Sequence, residues 1–453
     1  MEVSHQFERF QAVLLHIGID DTDSLSGGCT TYIAARLIDV LNGLGARFVD
    51  YPNLLRLNPN VPWKTRGNGS ICLRVEINQS REEKLHRMIL ELVESYADFH
   101  CDHTNPGVVF LEGTVPADII KFSERVVKTV VSLDNALKLV DDNGASAIGF
   151  KNMRGIIGAL AAVGGLQRGD HTYEFLAYRL PGNWGIPRQV DRDSVVRMNK
   201  ATAGATFNNL DPETGQALIA PNGPDPVLYG IRGEGPLAVR KAGLMVDSEP
   251  LESWVIFRTN QGTDAHFDTR IPVSSLKPYS PGVLEGLILG LPKTVQGGHV
   301  FVGLMDETGS VDCAAYEPTG ALRDIVRKLI SGDRVRVYGG VRGSSFGDRV
   351  TFNLEKLEIL ALVRDLRKVN PRCPECSGSM ESMGRGKGFR CKSCSFRGAK
   401  LEKQTVEEAR QIGEGLFMPP PRAQRHLLKP KVRYNKEKTG AFRLELEAPW
   451  HWP

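Results

Sequence analysis

The sequence predicts a multidomain protein in which α/β and α+β units precede a small β-barrel and a cysteine-rich module. The length of 453 residues exceeds the ~100–200 residues of one ordinary domain. Strand and helix patterns alternate over the first 135 residues, whereas short β-type runs dominate residues 280–362. Two C-x2-C pairs follow the β-rich stretch. These patterns predict about three or four folded units in one chain.

The composition fits well-cored domains, because hydrophobic residues make up 41% of the chain and charged residues 24%. No run of ~18 apolar residues is present, so we expect no membrane span and no membrane partner. The segment MEVSHQFERFQAV lacks the apolar core of a secretory signal, and we expect a cytoplasmic location. Four scattered cysteines do not form the pattern of a disulfide framework, which fits a reducing compartment: Cys29, Cys72, Cys101 and Cys313.

The first unit, residues 1–135, is predicted to alternate strands with helices. A buried strand over residues 12–19 runs into acidic, glycine-rich sequence, and a helix follows until Gly45 ends it. Residues 53–69 are predicted to be a loop. The remaining predicted elements are the strand GSICLRVEI, a helix from about Leu85 to Tyr96, the strand GVVFLEG and a helix over residues 116–131.

The next two units differ in their patterns. Residues 136–255 offer a helix of small residues, MRGIIGALAAVGG, and strands in HTYEFLAYR, PVLYGIRG and SWVIFRTN, which predicts an α+β unit. Residues 280–362 offer five short strands with the helix ALRDIVRKLI between the third and the fourth. That order is typical of an OB-fold, a barrel that often binds nucleic acid; another small β domain is the alternative.

Four cysteines in residues 363–403 have the spacing of a metal site. Two C-x2-C pairs separated by 14 residues can close a tetrahedral zinc site, and four protein ligands make such a zinc structural: Cys373, Cys376, Cys391 and Cys394. Basic residues surround these cysteines and favour contact with RNA. Residues 404–453 are predicted to be a basic, proline-rich tail. Its segment 422–438 carries seven Lys/Arg and one Glu, which fits either a solvated tail or contact with nucleic-acid phosphates.

The segment GIDDTDSLSGGCTTY places three acids where the first strand ends. Asp20, Asp21 and Asp23 repel one another unless a cation binds, and magnesium carrying a nucleotide phosphate is the natural occupant. Gly27 and Gly28 lead into a helix whose free N–H groups attract anions. An Asp-rich turn that only caps the helix is the alternative.

The segment WKTRGNGS is a weaker candidate for phosphate binding. Lys64 and Arg66 could neutralise triphosphate charge, and Gly67, Asn68 and Gly69 allow a close approach of the backbone. An ordinary turn would have the same composition.

Several segments in this order together resemble one archaeal family, the tRNA agmatidine synthetases (2-agmatinylcytidine synthetases acting on isoleucine tRNA, TiaS). These segments are GIDDTDS with GGCTTY, RLNPNVPWKTRGNG, TNPG, GFKNMRGIIGALAAVG, the OB-fold pattern, the cysteine module and RHLLKP. The resemblance implies an atypical kinase-like α/β domain at 1–135 and a ferredoxin-like domain at 136–255. An OB-fold at 280–362 and a zinc ribbon at 363–403 complete the expected fold.

The resemblance also implies an activity. Members of the family use ATP, which is cleaved to AMP and phosphates, to attach agmatine to C2 of the wobble cytidine (position 34) of a CAU anticodon. The expected partners are therefore isoleucine tRNA and agmatine, and the expected cofactors are ATP, Mg²⁺ and structural Zn²⁺.

The family's site residues map onto this chain motif by motif. Thr30, the first threonine of CTTY, corresponds to a threonine that is autophosphorylated in the family. The acids Asp20, Asp21 and Asp23 correspond to the catalytic site, with Asp20 and Asp23 as magnesium ligands. The expected ATP- and phosphate-binding residues are Thr22, Gly27, Gly28, Lys64, Arg66, Gly67 and Asn68.

Two other functions remain open on the sequence. A non-catalytic RNA-binding protein could be built from the OB-fold and the zinc ribbon, with acids that only bind a metal. A protein kinase acting on its own threonine is the third hypothesis, although HRD- and DFG-type motifs are missing from the sequence.

Overall fold

The computed structural model describes residues 12–65, 67–267, 270–343, 350–439 and 446–453. Its N-terminal part contains strands and helices in alternation. In chain order they are β1 (Ala12–Asp20), α1 (Thr30–Gly43), β2 (Arg47–Phe48), β3 (Asn53–Arg56), β4 (Gly69–Asn78), α2 (Glu82–Tyr96), β5 (Gly107–Glu112), α3 (Ala117–Lys128), α4 (Leu133–Asp142) and β6 (Ser146–Gly149).

The strands of this part form a sheet that helices cover on both faces. The order is β6-β5-β1-β4-β3, with every neighbouring pair antiparallel. Leu15, Ile17 and Ile19 of β1 are fully buried against α1 and α2 because alternate residues of a strand share one face. Gly18 faces the opposite layer, where a Cβ would meet the Ala159 carbonyl oxygen at 2.2 Å. The expected α/β layers are therefore present.

The second part continues the same sheet. Its elements are α5 (Gly155–Gly164), β7 (Thr172–Arg179), α6 (Arg192–Ala201), β8 (Thr206–Phe207), β9 (Val227–Gly233), α7 (Pro236–Gly243) and β10 (Leu251–Thr259). Strand β3 pairs in parallel with β10, and the sheet then runs on through β7, β9 and β8. Helix α5 packs under β1, β4 and β5 of the first part. The two parts thus share a sheet and a helix layer, and the division near residue 135 stays a prediction.

The third part is the closed five-stranded barrel that the sequence predicted. Its elements are β11 (Pro281–Thr294), β12 (Val300–Asp306), β13 (Gly309–Ala315), α8 (Ala321–Val326), β14 (Arg334–Arg342) and β15 (Thr351–Ala361). The pairing β11-β12-β13-β15-β14-β11 closes the barrel, and β13 pairs with β15 in parallel. Helix α8 buries Leu322 and Val326 in the barrel core. The predicted OB-fold, with its helix between the third and fourth strands, is confirmed.

The C-terminal part contains short strands. They are β16 (Asp365–Val369), β17 (Met380–Ser382), β18 (Phe389–Cys391), β19 (Arg397–Gly398), β20 (Gln404–Glu408), β21 (Gly415–Phe417) and β22 (His451–Trp452). Strands β17, β18 and β19 form the small sheet of the cysteine module, and β22 pairs with β10 of the large sheet. Within the described ranges, no helix combines the length and the apolar character that a membrane crossing requires.

Residues 420–438, here called the C-terminal strap, return from the barrel to the N-terminal half. Leu427 and Leu428 are each 1% exposed, and Arg433 is fully buried. Arg433 pairs with Asp170 and Glu234 at 2.8 Å each. Of the two alternatives, the solvated tail does not describe this segment, because internal carboxylates and apolar packing hold it in place. Its charge pattern alone does not reveal these partners.

Candidate active site

The acidic segment lies where the central strand of the sheet ends. Strand β1 is held between β4 and β5 up to Ile19 and Asp20. Asp21 then takes a positive φ of 58°, a conformation that Asp tolerates better than most residues. A tight turn follows, in which Ser24 donates its backbone N–H to the Gly27 carbonyl oxygen at 2.8 Å. The chain is thereby folded back so that helix α1 begins beside the acids.

Asp23 bonds directly to the start of helix α1. Its Oδ1 accepts hydrogen bonds from the Thr30 backbone N–H at 2.9 Å and from the Thr30 hydroxyl at 3.2 Å. Cys29, the residue before the helix, makes no side-chain cap, so Asp23 supplies the negative charge that a helix N-terminus favours. Thr22 is fully buried, and its hydroxyl lies 2.9 Å from that of Thr30. Asp23 therefore caps the helix and also lines the cleft described below, so capping alone does not describe this residue.

Asp20 is partly buried, and its carboxyl group packs against helix α5. A Cβ on Gly158 would lie 1.8 Å from Asp20 Oδ2, so only glycine fits opposite this carboxyl group. Burial, and next the charge of Asp21, raise the pKa of Asp20 well above its usual range. Negative charge is therefore poorly compensated at this position, and a bound cation would relieve it.

Asp21 has a cation of its own. Arg154 donates to Asp21 Oδ2 through Nη2 at 2.7 Å and through Nε at 3.2 Å. Burial raises the pKa of Asp21 to about 6, while Arg154 opposes the shift. Arg154 also bonds to the His103 carbonyl oxygen at 3.0 Å, which fixes it between the acids and the TNPG segment.

A cleft of about 730 Å³, counting its open mouth, extends from these acids. Its walls come from the end of β1, the loop before β4, the segment after α3 and the start of α5. The lining residues are Asp20, Asp21, Asp23, Thr30, Leu57, Asn58, Val61, Trp63, Lys64, Thr65, Gly67, Asn68, Gly69, Val126, Thr129, Val130, Val131, Arg154, Ile157 and Gly158. Apolar and aromatic walls beside charged groups are typical of small-molecule sites.

The loop of residues 58–68, called the basic loop, is stabilised by its own polar side chains. Lys64 Nζ donates to the carbonyl oxygens of Pro59 at 2.8 Å and Val61 at 3.1 Å. Asn68 donates its side-chain amide to the Asn58 carbonyl oxygen at 2.9 Å. These bonds shape the wall of the cleft, and Lys64, Gly67 and Asn68 all line it. The predicted phosphate ligand Arg66 lies outside the described residues.

The structure brings together most, but not all, of the predicted site residues. Thr22 is buried behind Thr30 and does not line the cleft. Gly27 and Gly28 line a different, shallower pocket with Trp184 and Pro224. A Cβ on Gly28 would lie 2.9 Å from the Thr22 carbonyl oxygen, and its φ is +75°, so this glycine serves the turn.

The sequence alone does not identify Arg154 or Gly158 as residues of the site. Both lie in the segment MRGIIGALAAVGG, whose composition predicts only a helix of small residues. The glycines in that helix are the available signal, because a helical glycine often marks a close approach of another chain segment. Gly155, for instance, leaves no room for a Cβ, which would lie 2.3 Å from the Gly107 nitrogen.

The four cysteines of the C-terminal module converge as predicted. Their Sγ atoms all lie within 4.8 Å of one another, with Cys373–Cys394 at 3.6 Å and Cys376–Cys391 at 3.5 Å. A tetrahedral zinc with Zn–S bonds of about 2.3 Å requires sulfur separations of roughly 3.8 Å. The donor set therefore fits zinc. In the described part of the chain, it is the one group of three or more such ligands with this spacing, so the three aspartates are not a preassembled cluster.

Comparisons with known proteins agree with this architecture. Family models match the TiaS TCKD domain at residues 16–152, the TiaS FLD domain at 153–266, an OB-fold nucleic acid binding domain at 283–360 and the TiaS C-terminal zinc ribbon domain at 370–412. The isoleucine-tRNA 2-agmatinylcytidine synthetase TiaS of Methanocaldococcus jannaschii is 41% identical over 92% of this chain and 98% of its own. The Methanosarcina mazei protein of the same name is 41% identical over 92% and 97%.

Solved structures give the same result. The chain superposes on a complex of TiaS with isoleucine tRNA and ATP with a TM-score of 0.85, at 38% identity over 95% of this chain and 100% of that one. A complex of TiaS with isoleucine tRNA, AMPCPP and agmatine gives a TM-score of 0.82 at 36% identity, with the same coverage. The chain therefore belongs to the TiaS family of 2-agmatinylcytidine synthetases that act on isoleucine tRNA.

Proposed function

We propose that this chain is an ATP-dependent ligase that attaches agmatine to C2 of the wobble cytidine in isoleucine tRNA with a CAU anticodon. ATP is cleaved to AMP and phosphates, and the modified base pairs with adenosine, so that the tRNA decodes AUA. The observation that carries the proposal is the cleft at the end of β1, in a chain whose fold matches a TiaS protein in complex with isoleucine tRNA and ATP.

The cleft is proposed to take ATP with its phosphates toward the acids. Asp20 and Asp23 are the proposed Mg²⁺ ligands, since carboxylate oxygens are what this ion prefers and Asp21 is already paired with Arg154. The raised pKa of Asp20 supports this assignment, because burial and the charge of Asp21 outweigh the opposing charge of Arg154. Bound there, Mg²⁺ would neutralise charge on the phosphates.

Thr30 is proposed to accept a phosphoryl group. Its hydroxyl lines the cleft and donates to Asp23 Oδ1 at 3.2 Å, so the carboxylate is placed to take the hydroxyl proton. Thr22 is proposed to orient that hydroxyl from behind, at 2.9 Å. Lys64, Gly67 and Asn68 are proposed to face the phosphates from the basic loop, where the predicted role of Arg66 stays a prediction.

The base chemistry follows from the leaving group. The C2 oxygen of cytosine leaves poorly, but it leaves as phosphate once it carries a phosphoryl group. The primary amine of agmatine can then form the new C–N bond at C2. That amine must be neutral to attack, although free amines are mostly protonated near pH 7, so a carboxylate of the site is needed as base. The wobble base must also leave its stack to reach the cleft.

The barrel and the zinc ribbon are proposed to bind the tRNA. The ribbon presents exposed cations around the cysteines, among them Arg385, Lys387 and Lys392. Such cations bind phosphates and make tRNA affinity dependent on salt. A cytoplasmic location stays part of the proposal.

The test is incorporation of labelled agmatine into an unmodified CAU-anticodon transcript with and without ATP. Asp20→Asn should abolish incorporation and ATP cleavage, because the amide keeps the shape of the acid but removes the negative charge that holds Mg²⁺ most strongly. Asp134→Asn is the matched control, since Asp134 is exposed on α4 and has no proposed role in the reaction. Loss of tRNA binding in parallel with ATP cleavage would show instead that Asp20 is structural. Binding of tRNA without ATP-dependent incorporation in the unmodified protein would favour the non-catalytic hypothesis.

A further inference from the structure

A second cavity lies on the other side of the basic loop from the nucleotide cleft. It measures about 570 Å³ with its open mouth, and the C-terminal strap forms one of its walls. Three cationic residues line it, namely Arg56, Lys64 and Arg425, together with His426 of the strap. Lys64, Gly67 and Asn68 line this cavity and the cleft alike, so the basic loop is a wall between the two.

His426 is held in one orientation by a chain of hydrogen bonds. Its Nδ1 lies 3.0 Å from Gln261 Oε1, and Gln261 donates its amide N–H to Glu174. Since Oε1 accepts, Nδ1 must carry the proton and Nε2 has a free lone pair. A Cβ on Gly67 would lie 2.9 Å from Nε2, which places that atom against the basic loop. The strap thus reaches the back of the loop through a fixed imidazole.

Positive charge in this cavity exceeds the charge of its partners. Arg56 donates to the Gly67 carbonyl oxygen at 3.1 Å and lies 3.8 Å from Glu174, while its buried Nε has no hydrogen-bond partner among the described residues. Arg232 shares the same Glu174 at 3.1 Å. Arg425 lies 3.1 Å from Glu355, which also pairs with a histidine.

The titration behaviour of the neighbouring groups agrees with this excess. The charge of Arg56, and then burial, hold the pKa of His426 well below its usual range. Burial, and then Arg425, lower the pKa of Lys64. The cationic neighbours add to the effect of burial in both cases, and a bound anion would oppose these shifts.

We propose that this cavity is an anion subsite that takes inorganic phosphate released when ATP is cleaved to AMP and phosphates, a site that inorganic pyrophosphate can probe. The inference rests on the proposed function, which supplies the anion. A small anion is favoured because the cavity shares a wall with the nucleotide cleft, in which phosphate would be released. Held there, the anion is separated from the cleft in which the base and the amine react.

The test is calorimetric titration of the full-length protein with inorganic pyrophosphate, and in parallel with the analogue AMPCPP. Arg425→Gln should weaken pyrophosphate binding by about tenfold, since a charge-assisted hydrogen bond is lost. Arg425→Lys, which keeps the charge, should lose less. Lys431→Gln removes an exposed charge from the same strap and should leave pyrophosphate binding unchanged. AMPCPP affinity should stay within about twofold in all three variants, and thermal melting checks that each is folded.

Three results would overturn the subsite. Wild-type protein that binds AMPCPP but not pyrophosphate would contradict the subsite alone, whereas failure to bind AMPCPP would contradict the proposed function. Equal losses of pyrophosphate and AMPCPP affinity in Arg425→Gln would make the cavity part of the triphosphate site. If the Arg425→Gln protein lost affinity for tRNA but bound pyrophosphate normally, the cavity would instead bind a phosphate of the RNA.

Discussion

Gly158→Ala tests whether the position of Asp20 determines ATP cleavage. The new Cβ would lie 1.8 Å from Asp20 Oδ2 and 2.5 Å from Cγ, whereas ordinary contacts begin near 3.4 Å. The carboxyl group must therefore move by about 1.6 Å, and a misplacement of about 1 Å at a reacting centre can cost ~10²-fold. Overpacking costs about 1–3 kcal/mol, which the better helix propensity of Ala offsets by about 1 kcal/mol. We expect a roughly 100-fold loss of ATP cleavage with only a modest loss of stability.

The assay is ATP cleavage in the presence of tRNA and agmatine, with the free energy of unfolding measured by denaturant titration. Gly43→Ala is the matched control, because it is also a glycine-to-alanine change within a helix and its Cβ would meet nothing within 4 Å. The control should cleave ATP at the wild-type rate. A Gly158→Ala protein with wild-type cleavage would refute the role assigned to the position of Asp20.

Four further predictions rest on the same contacts. Thr30→Ala should remove phosphate incorporation into the protein, whereas Thr30→Ser should keep it; radiolabelling from ATP measures both. Since burial raises the pKa of Asp21 to about 6, its carboxylate is lost as the pH falls through that value. The raised pKa of Asp20, a proposed Mg²⁺ ligand, acts in the same direction, so the increase in Tm produced by Mg²⁺ and AMPCPP should be larger near pH 8 than near pH 5. Cys373→Ser should release zinc, measured by elemental analysis, and weaken tRNA binding far more than AMPCPP binding. Arg433→Met should lower the free energy of unfolding by about 1–3 kcal/mol, because the carboxylates of Asp170 and Glu234 lose their charge-assisted hydrogen bonds to Arg433 but keep Lys429 and Lys438 as neighbours.

Each of these predictions has an outcome that contradicts it. Phosphate incorporation in Thr30→Ala would assign the acceptor to another residue. A Tm increase that is independent of pH would mean that ligand binding does not need the ionised acids. Normal tRNA affinity in Cys373→Ser protein would remove the ribbon from RNA binding. A change below about 0.5 kcal/mol in Arg433→Met would restore the interpretation of the strap as a solvated tail.

Local patterns predict the fold class well, and long-range pairing explains what they miss. The strand order of the barrel and the position of α8 can be predicted, because each element has a periodic pattern within a short stretch of sequence. Residues Asn53–Arg56, by contrast, are predicted to be part of a loop but form β3. That strand exists because it pairs with β4 and with β10, about 200 residues away, and no local pattern carries this information. The same reasoning applies to β22, which pairs with β10 from the end of the chain.

The site is predictable where residues of one motif act together and not where distant segments meet. The acids, Thr30 and the basic loop are found because each motif is short. Composition assigns Gly27 and Gly28 to phosphate binding, yet the turn places them away from the cleft, so that role stays a prediction. Arg154 cannot be paired with Asp21 from sequence, because 133 positions separate them.

The mass of the wobble nucleoside tests the central claim most directly. Unmodified CAU-anticodon transcript is incubated with the protein, ATP and agmatine, digested to nucleosides and analysed by mass spectrometry. We expect the wobble cytidine to gain agmatine with loss of one water, and only when ATP is present. An unchanged cytidine from a sample in which the protein is folded and binds both tRNA and ATP would contradict it.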